Sequence, residues 1–376
     1  MQTPVHKSNE LVERRRRTRW LVAVSVGLAV AASPFLRSAE AATTASRVEG
    51  SDRYVTAANV SADAFLPGVP VAYVATGEAF PDALAGAAAA GKAGGPVLLT
   101  RPTSLPTATA NELDRLKPGK IIVLGGTSAV SATVFDALDP YTDGEVTRIA
   151  GDDRYETAAN LSAATFPTVP VNTVYVATGQ DFPDALAGGP AAADDGGPIL
   201  LVQGNSIPAA TKTELTRLGA TGVVLLGGPS AVSENVKDQL EAYSTAPVLR
   251  VAGADRYLTA VEVSENSFTS TNTVYLATGR NFPDALAGGP AAAKADGPML
   301  LTQPNCIPPE VNAEITRLDP DSLIVLGGTA AVSDAVLNRT VCTPQSSSTF
   351  PTFPGGSFPT FPGGSFPTSF PSIPQP

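Results

Sequence analysis

A heptapeptide that occurs three times constrains this chain more than any other feature. Phe-Pro-Asp-Ala-Leu-Ala-Gly stands at Phe80–Gly86, Phe182–Gly188 and Phe282–Gly288, at spacings of 102 and 100 residues. Five further motifs keep one order around each copy: Asp-Arg-Tyr and Ala-Thr-Gly before it, then Gly-Pro-x-Leu-Leu, Leu-Gly-Gly and Ala-Val-Ser after it. Motifs held in register over about a hundred residues predict a triplicated domain, because a unit of that size can bury its own core.

The repeats divide the chain into segments. We assign residues 47–145, 146–247 and 248–342 to repeats 1, 2 and 3, and residues 343–376 to a tail rich in Pro, Phe, Gly and Ser. The tail carries no charge and its frequent Pro and Gly prevent regular structure, so we predict a disordered, polyproline-like segment. Whether it is a passive spacer, or a segment whose aromatic side chains bind a partner, stays open.

The N-terminus has the order of a secretory signal. A basic cluster, Arg14–Arg19, precedes the apolar run Trp20–Leu36 and the small-x-small triplet Ala39–Ala41. This order predicts a signal peptide over residues 1–41 that is removed on export. A retained membrane anchor is the alternative, although the apolar run is short for a spanning helix. We therefore expect a secreted protein that has no membrane contact after cleavage.

The charge balance limits the class of ligand. Without residues 1–41 the chain has 18 basic and 32 acidic side chains, a net charge of −14. Nucleic acids are bound largely by Lys and Arg that neutralise phosphates, so we expect no nucleic-acid partner. An anionic ligand would have to be held locally by individual basic side chains.

Repeat 2 shows most clearly how strands and helices alternate. Apolar segments predict strands at Val146–Ala150, Thr173–Ala177, Ile199–Val202 and Gly222–Leu226. Helices are predicted between and after them, starting near Asp153, Pro183, Ala209 and Ser233, several of which suit a helix start. Strands that are apolar at every position and alternate with helices indicate an α/β fold with a parallel sheet covered on both faces. The Ala/Gly-rich second helix predicts close packing against its own sheet or a neighbouring repeat.

Three sets of side chains are candidate ligand-binding residues. The Asp-Arg-Tyr arginines offer a planar fork that matches phosphate or carboxylate, although a structural ion pair explains them equally well. The Ala-Thr-Gly threonines stand between a strand end and a helix start, where α/β proteins bind ligands, although a tight turn also fits. The aspartates of the heptapeptide suit a helix cap or a catalytic or metal-binding role. These candidates are Arg53, Arg154, Arg256, Thr76, Thr178, Thr278, Asp82, Asp184 and Asp284. Beyond them and Asp-Arg-Tyr, we predict no acid that recurs in all three repeats.

Histidine and cysteine usage argues against catalysis. The single histidine, His6, lies in the predicted signal peptide, so the exported chain lacks a histidine general base. The two cysteines, Cys306 and Cys342, both lie in repeat 3, and in an exported protein they predict a disulfide. We expect no enzyme activity, no cofactor and no metal. A hydrolase that uses only carboxylates, such as Asp184 and its equivalents, is the alternative.

Together these motifs resemble the cell wall-binding repeat, type 2, over residues 47–342. The resemblance implies a Rossmann-like repeat, three of which pack about a pseudo-threefold axis in a monomer. It also implies non-covalent attachment to an anionic secondary wall polymer or a peptidoglycan-linked glycan of Gram-positive bacteria. A surface adhesin or S-layer-like component is a further alternative. In the family a Pro-Ile-Leu-Leu motif is associated with anchoring, and its matching residues here are Pro96, Leu98, Leu99, Pro198, Leu200, Leu201, Pro298, Leu300 and Leu301.

Overall fold

The computed structural model describes residues 43–79, 83–281 and 283–343. The predicted signal peptide, Asp82 and all but the first residue of the tail lie outside the described residues. The described residues form twelve strands: β1 Thr44–Val48, β2 Ala72–Thr76, β3 Val97–Thr100, β4 Ile121–Leu124, β5 Val146–Ile149, β6 Thr173–Thr178, β7 Ile199–Val202, β8 Gly222–Leu226, β9 Leu249–Val251, β10 Thr273–Thr278, β11 Met299–Thr302 and β12 Ser322–Leu326. They also form twelve α-helices: α1 Arg53–Ala64, α2 Gly86–Ala93, α3 Thr107–Leu116, α4 Ala132–Asp136, α5 Arg154–Thr165, α6 Pro183–Asp194, α7 Ala209–Leu218, α8 Glu234–Leu240, α9 Arg256–Ser267, α10 Pro283–Lys294, α11 Pro309–Leu318 and α12 Asp334–Leu337.

The strands form three four-stranded parallel sheets. Their orders are β3-β2-β4-β5 in sheet 1, β7-β6-β8-β9 in sheet 2 and β11-β10-β12-β1 in sheet 3. In sheet 1 the chain runs from β2 outward to the edge strand β3, then crosses back to β4 on the other side of β2 and continues to β5. β6 to β9 follow the same path in sheet 2, and β10 to β12 follow its first part in sheet 3. Helices cover both faces, so β2 and β6 are buried at every position and β10 at all but its first. The predicted fold class, three parallel-sheet α/β units, is confirmed.

Sheets 1 and 2 each take their last strand from the repeat that follows in the sequence. β5 and β9, which begin repeats 2 and 3, pair with β4 and β8 of the preceding repeats. Sheet 3 has no following repeat, and β1 from the start of the chain pairs with β12 instead, with Arg47 opposite Val325. The three repeats therefore form a closed ring.

The three Ala/Gly-rich helices α2, α6 and α10 pack against one another at the centre of the ring, and we call them the axis helices. A Cβ added at Gly189 or at Gly289 would lie 2.7 or 2.6 Å from the Cβ of Ala87, and these three positions are equivalent. Four residues on, a Cβ at Gly91 would lie 2.8 and 2.7 Å from the Cβ atoms of its equivalents, Ala193 and Ala293. Because equivalent positions meet, the axis helices are parallel and in register, and their N-termini lie at one end of the axis.

The axis helices also pack closely on their own sheets. A Cβ at Gly188 would lie 2.2 Å from Cδ1 of Leu226, and one at Gly288 would lie 2.1 Å from Cδ1 of Leu326. The small side chains of these helices thus allow close packing against both predicted partners, the sheet of the same repeat and the neighbouring repeats.

A buried carboxylate recurs in every repeat, contrary to the prediction that no further acid does so. Glu112, Glu214 and Glu314 are 5%, 5% and 1% exposed. Each accepts two hydrogen bonds from the arginine three residues later, and that arginine also donates to the carbonyl that ends the first helix of the repeat. In repeats 2 and 3 a buried serine hydroxyl, from Ser162 or Ser264, donates to the same carboxylate. The charge is therefore paired and hydrogen-bonded, as burial of an ion requires.

Candidate functional site

The candidate site lies at the carboxyl ends of the parallel strands. In sheet 2 the chain leaves β6 in one direction and β8 in the other, so a crevice opens between these two strand ends. Crevices at such switch points are where open α/β sheets bind ligands. Gly179 follows β6 and Gly227 follows β8. The axis helix α6 also begins at this edge, and repeat 3 places its Ala-Thr-Gly, Leu-Gly-Gly and heptapeptide motifs together in the same way.

The Asp-Arg-Tyr motif caps a helix and connects two sheets. The Asp153 carboxylate accepts hydrogen bonds from the backbone N–H groups of Tyr155 and Glu156, both at 2.9 Å. Asp52 and Asp255 cap α1 and α9 in the same way. The arginine that follows each cap comes shortly after the last strand of one sheet (β1, β5 or β9). It donates a hydrogen bond to the carbonyl that follows β2, β6 or β10 in the next sheet. These contacts join Arg53 to Gly77, Arg154 Nη1 to Gly179 at 2.6 Å, and Arg256 Nη1 to Gly279 at 2.7 Å.

The glycine of Ala-Thr-Gly is required by close packing. A Cβ at Gly179 would lie 2.7 Å from Cε1 of Tyr155 and 3.1 Å from Cδ of Arg154. Gly77 and Gly279 face their own tyrosine and arginine in the same manner. This contact brings the arginine to the glycine carbonyl, so the two motifs form one unit.

The three candidate threonines are buried, with exposures of 3%, 3% and 2% for Thr76, Thr178 and Thr278. Each hydroxyl oxygen accepts a hydrogen bond at 3.2 Å from the backbone N–H two residues later. The threonines therefore shape the start of the loop that carries the heptapeptide.

The two described heptapeptide aspartates, Asp184 and Asp284, lie in the crevice beside the Leu-Gly-Gly loop. Gly227 has a φ of +96°, and a Cβ there would lie 2.3 Å from Oδ2 of Asp184. Gly327 and Asp284 repeat this arrangement. Burial raises the pKa of Asp184 to about 6, with a further rise from Asp181 and an opposing effect of Arg256. Burial also raises the pKa of Asp284, against an opposing effect of Arg53.

The arginine that faces each described aspartate comes from the next repeat in the ring. Arg256 of repeat 3 lies by Asp184 and Asp181 of repeat 2, and Arg53 of repeat 1 lies by Asp284 of repeat 3. We call each place where such an arginine meets the loop of the adjacent repeat a seam. The seam arginines Arg53, Arg154 and Arg256 lie at the end of the axis where the axis helices begin, and the heptapeptide aspartates of repeats 2 and 3 face Arg256 and Arg53. All three are at least partly exposed.

A second arginine in each repeat was not singled out from the sequence. Arg47, Arg148 and Arg250, in β1, β5 and β9, each donate at 2.7 Å to the first carbonyl of the Leu-Gly-Gly loop. Their recurrence at the same spacing as the other motifs is the signal that would have revealed them. Arg47 and Arg250 also pair with Asp334 and Glu234 at the start of the last helix of a repeat.

The Pro-x-Leu-Leu motifs form strands β3, β7 and β11. Their six leucines are between 0% and 1% exposed, and the proline carbonyls accept hydrogen bonds from the neighbouring strand. β3 and β11 also contact the axis helix of the preceding repeat in the ring. These leucines are thus part of the buried core, and two of their three strands lie against a neighbouring repeat.

The predicted disulfide is present between Cys306 and Cys342. It joins the loop after β11 to the segment after α12. In the described part of the chain, no three His, Cys, Asp or Glu side chains gather closely enough to hold a metal ion. Of the helices in this part, none has the length and apolar character that crossing a bilayer requires.

The family Cell wall binding domain 2 (CWB2) matches the chain three times, at residues 47–135, 148–237 and 250–337. A relative from Bacillus subtilis, N-acetylmuramoyl-L-alanine amidase LytC, is 30% identical over 81% of this chain and 60% of its own length. The amidase enhancer of the same bacterium is 28% identical over 78% of this chain and 39% of its own length. The chain thus spans less than two thirds of either relative.

Two solved structures from Clostridium difficile are similar in fold. Cwp6 superposes with a TM-score of 0.73 at 24% identity and covers 85% of this chain and 51% of its own. Cwp8 superposes with a TM-score of 0.70 at 25% identity and covers 77% of this chain and 50% of its own. The similarity extends across all three repeats, because each comparison covers more than three quarters of the chain.

Proposed function

The chain belongs to the Cell wall binding domain 2 (CWB2) family, and from this we propose that it is an exported, non-catalytic protein that attaches non-covalently to a Gram-positive cell wall. Its ligand is an anionic secondary wall polymer or a peptidoglycan-linked glycan. It acts as a monomer whose three repeats form an intramolecular pseudo-trimer.

The observation that supports this function best is the set of three seam arginines at one end of the axis. Each guanidinium is fixed through one nitrogen by a glycine carbonyl, and Arg256 also pairs through Nη2 with Asp181; in this proposal the ligand binds the other N–H groups. A guanidinium held in this way suits the planar, two-point recognition of phosphate or carboxylate. Three such groups on one rigid ring allow a repeating polymer to bind at several points, which multiplies the affinity.

The overall charge makes this local arrangement necessary. The chain without residues 1–41 carries a net charge of −14, so its average field repels an anionic polymer. Attraction must come from fixed donors that act over a few ångströms, since longer-range attraction is screened by salt. The seam arginines meet this requirement.

The Pro-x-Leu-Leu strands contribute to binding indirectly in this proposal. Their leucines are buried, so a polymer on the surface does not touch them. Substituting them would separate the repeats and displace the seam arginines, and wall attachment would be lost together with folding.

Co-sedimentation with isolated cell walls tests the proposal. The purified protein should pellet with native walls and remain in solution with walls whose anionic polymers have been removed by acid. Replacing Arg53, Arg154 and Arg256 together with Gln should abolish pelleting. The matched control replaces Lys92, Lys117 and Lys120 with Gln, because these exposed lysines lie at the opposite edge of the sheets. If the two triple variants pellet equally well, the seams are not the binding sites; if the unmodified protein does not pellet with native walls, the proposed function is wrong.

A wall hydrolase remains the second candidate because of one observation. Asp184, with a pKa of about 6, has the acidity that a general acid needs near neutral pH. The non-catalytic proposal expects no clearing of a wall suspension and no release of soluble fragments. Clearing by the unmodified protein that disappears in an Asp184→Asn variant would establish the hydrolase instead.

A further inference from the structure

The three seams differ at the residue that precedes the phenylalanine of the heptapeptide. This residue is Ala79 in repeat 1, Asp181 in repeat 2 and Asn281 in repeat 3. In repeats 2 and 3 it lies in the loop that faces the arginine of the next repeat. Only repeat 2 therefore places a carboxylate at this position.

Asp181 contacts the seam arginine directly. Its Oδ2 lies 3.6 Å from Nη2 of Arg256. The other terminal nitrogen of Arg256 donates to the Gly279 carbonyl at 2.7 Å, and the guanidinium carbon lies 5.8 Å from the centre of the Phe182 ring. The guanidinium of Arg256 is thus occupied on several sides by groups of the protein itself.

The other two seam arginines lack this contact. Among the described residues, neither Arg53 nor Arg154 forms an ion pair, and Asn281 and Ala79 carry no charge. Asp284 faces Arg53 as Asp184 faces Arg256, so the heptapeptide aspartate does not distinguish these two seams.

A second position also varies among the loops. The residue after the Ala-Thr-Gly glycine is Glu78, Gln180 or Arg280, and in the described part of the chain none of the three forms an ion pair with a seam arginine. The Asp181–Arg256 pair is therefore the difference that acts directly on a binding group.

We propose that Asp181 is an internal competitor for the anionic wall polymer, so that the Arg256 seam binds more weakly than the Arg53 seam. This inference rests on the proposed function. An incoming phosphate or carboxylate must displace Asp181 from Nη2 of Arg256 and is also repelled by its charge. The side chains of Asp181 and Arg256 are 55% and 36% exposed, so the pair is weak and can be displaced.

Exchanging the residues found at the equivalent positions provides the test. Asp181→Asn gives repeat 2 the residue of repeat 3, and Asn281→Asp does the reverse. An exposed ion pair changes a binding equilibrium by roughly two- to fivefold, so we expect Asp181→Asn to raise the affinity for native walls about threefold. Asn281→Asp should lower it by a similar factor, and both effects should shrink at high salt because exposed charges are screened.

The control is Asp143→Asn, which changes the net charge equally at an exposed position away from the seams. Pelleting titrations with native walls would compare the four proteins at equal thermal stability. A gain for Asp181→Asn with no change for Asp143→Asn supports the inference. Equal affinities of these two variants would overturn it while leaving the proposed function intact, whereas failure of the unmodified protein to bind native walls would overturn both.

Discussion

Asp184 makes folding stability depend on pH in a direction that is unusual for a carboxylate. Burial, followed by the charge of Asp181, raises its pKa from 3.8 to about 6, although Arg256 opposes the rise. The folded state thus binds this proton more tightly than the unfolded state. The ionised side chain therefore destabilises the fold above about pH 6, and this cost disappears as the pH falls toward 3.8.

The pKa difference sets the size of the effect. About two pKa units at about 1.4 kcal/mol each give a cost of about 3 kcal/mol at pH 7.5. Asp184→Asn removes that cost, but it also removes a negative charge from the first turn of α6, where the helix dipole favours it by about 0.5 kcal/mol. We expect the variant to be about 2 kcal/mol more stable than the unmodified protein at pH 7.5 and nearly equal in stability at pH 4.5.

Urea unfolding of both proteins between pH 4.5 and 7.5 measures this difference. Other titrating groups are common to the two proteins, so subtracting one stability curve from the other isolates Asp184. Equal dependence of the unfolding free energy on urea would confirm that the unfolded states are comparable. A difference that stays constant across the pH range would refute the reasoning, since it would mean that Asp184 has an ordinary pKa in the folded protein.

Two further substitutions test the packing of the ring. Glu314→Ala should lower the free energy of unfolding by about 3 kcal/mol, because it removes the carboxylate from a buried ion pair. The control Asp114→Ala, in an exposed ion pair, should lower it by less than about 1 kcal/mol. Similar losses for the two variants in urea titrations would contradict the role of the buried network. Gly289→Val should overpack the axis helices, which lowers the free energy of unfolding by about 2 kcal/mol and with it the melting temperature. Gly228→Val is the control for side-chain size, because Gly228 has open space around it. A Gly289→Val protein that melts no earlier than this control would show that the axis helices are not tightly packed.

The sequence predicted the elements of repeat 2 closely, because each has a strong local signal. Predicted strands at Ile199–Val202 and Gly222–Leu226 and the helix Ala209–Leu218 have these same bounds in the structure. Their apolar periodicity, turn residues and caps are all local. The close packing of the axis helices was also predictable, since only a near neighbour explains a helix built of Ala and Gly.

Contacts between distant segments could not be predicted in the same way. The segment at Val146–Ile149 has the same apolar pattern whichever sheet it joins, so its pairing with β4 was not visible. Arg154 was identified as a candidate, but its residue type does not reveal that a glycine carbonyl rather than an acid holds it. By contrast, the recurrent acid at Glu112 and its equivalents was visible in the spacing and was overlooked, because it lies inside a segment that reads as an ordinary amphipathic helix.

The pairing of β1 with β12 determines the order in which the protein can finish folding. Arg47 and the Gly327 carbonyl that it binds are 280 residues apart in the chain. Synthesis releases the first strand long before its partner, so β1 stays unpaired with β12 while repeats 1 and 2 form their sheets. Closing so long a loop is slow, and a chain that stops before β12 leaves β1 without a sheet. Completion of the ring thus requires that the chain has been made at least as far as β12.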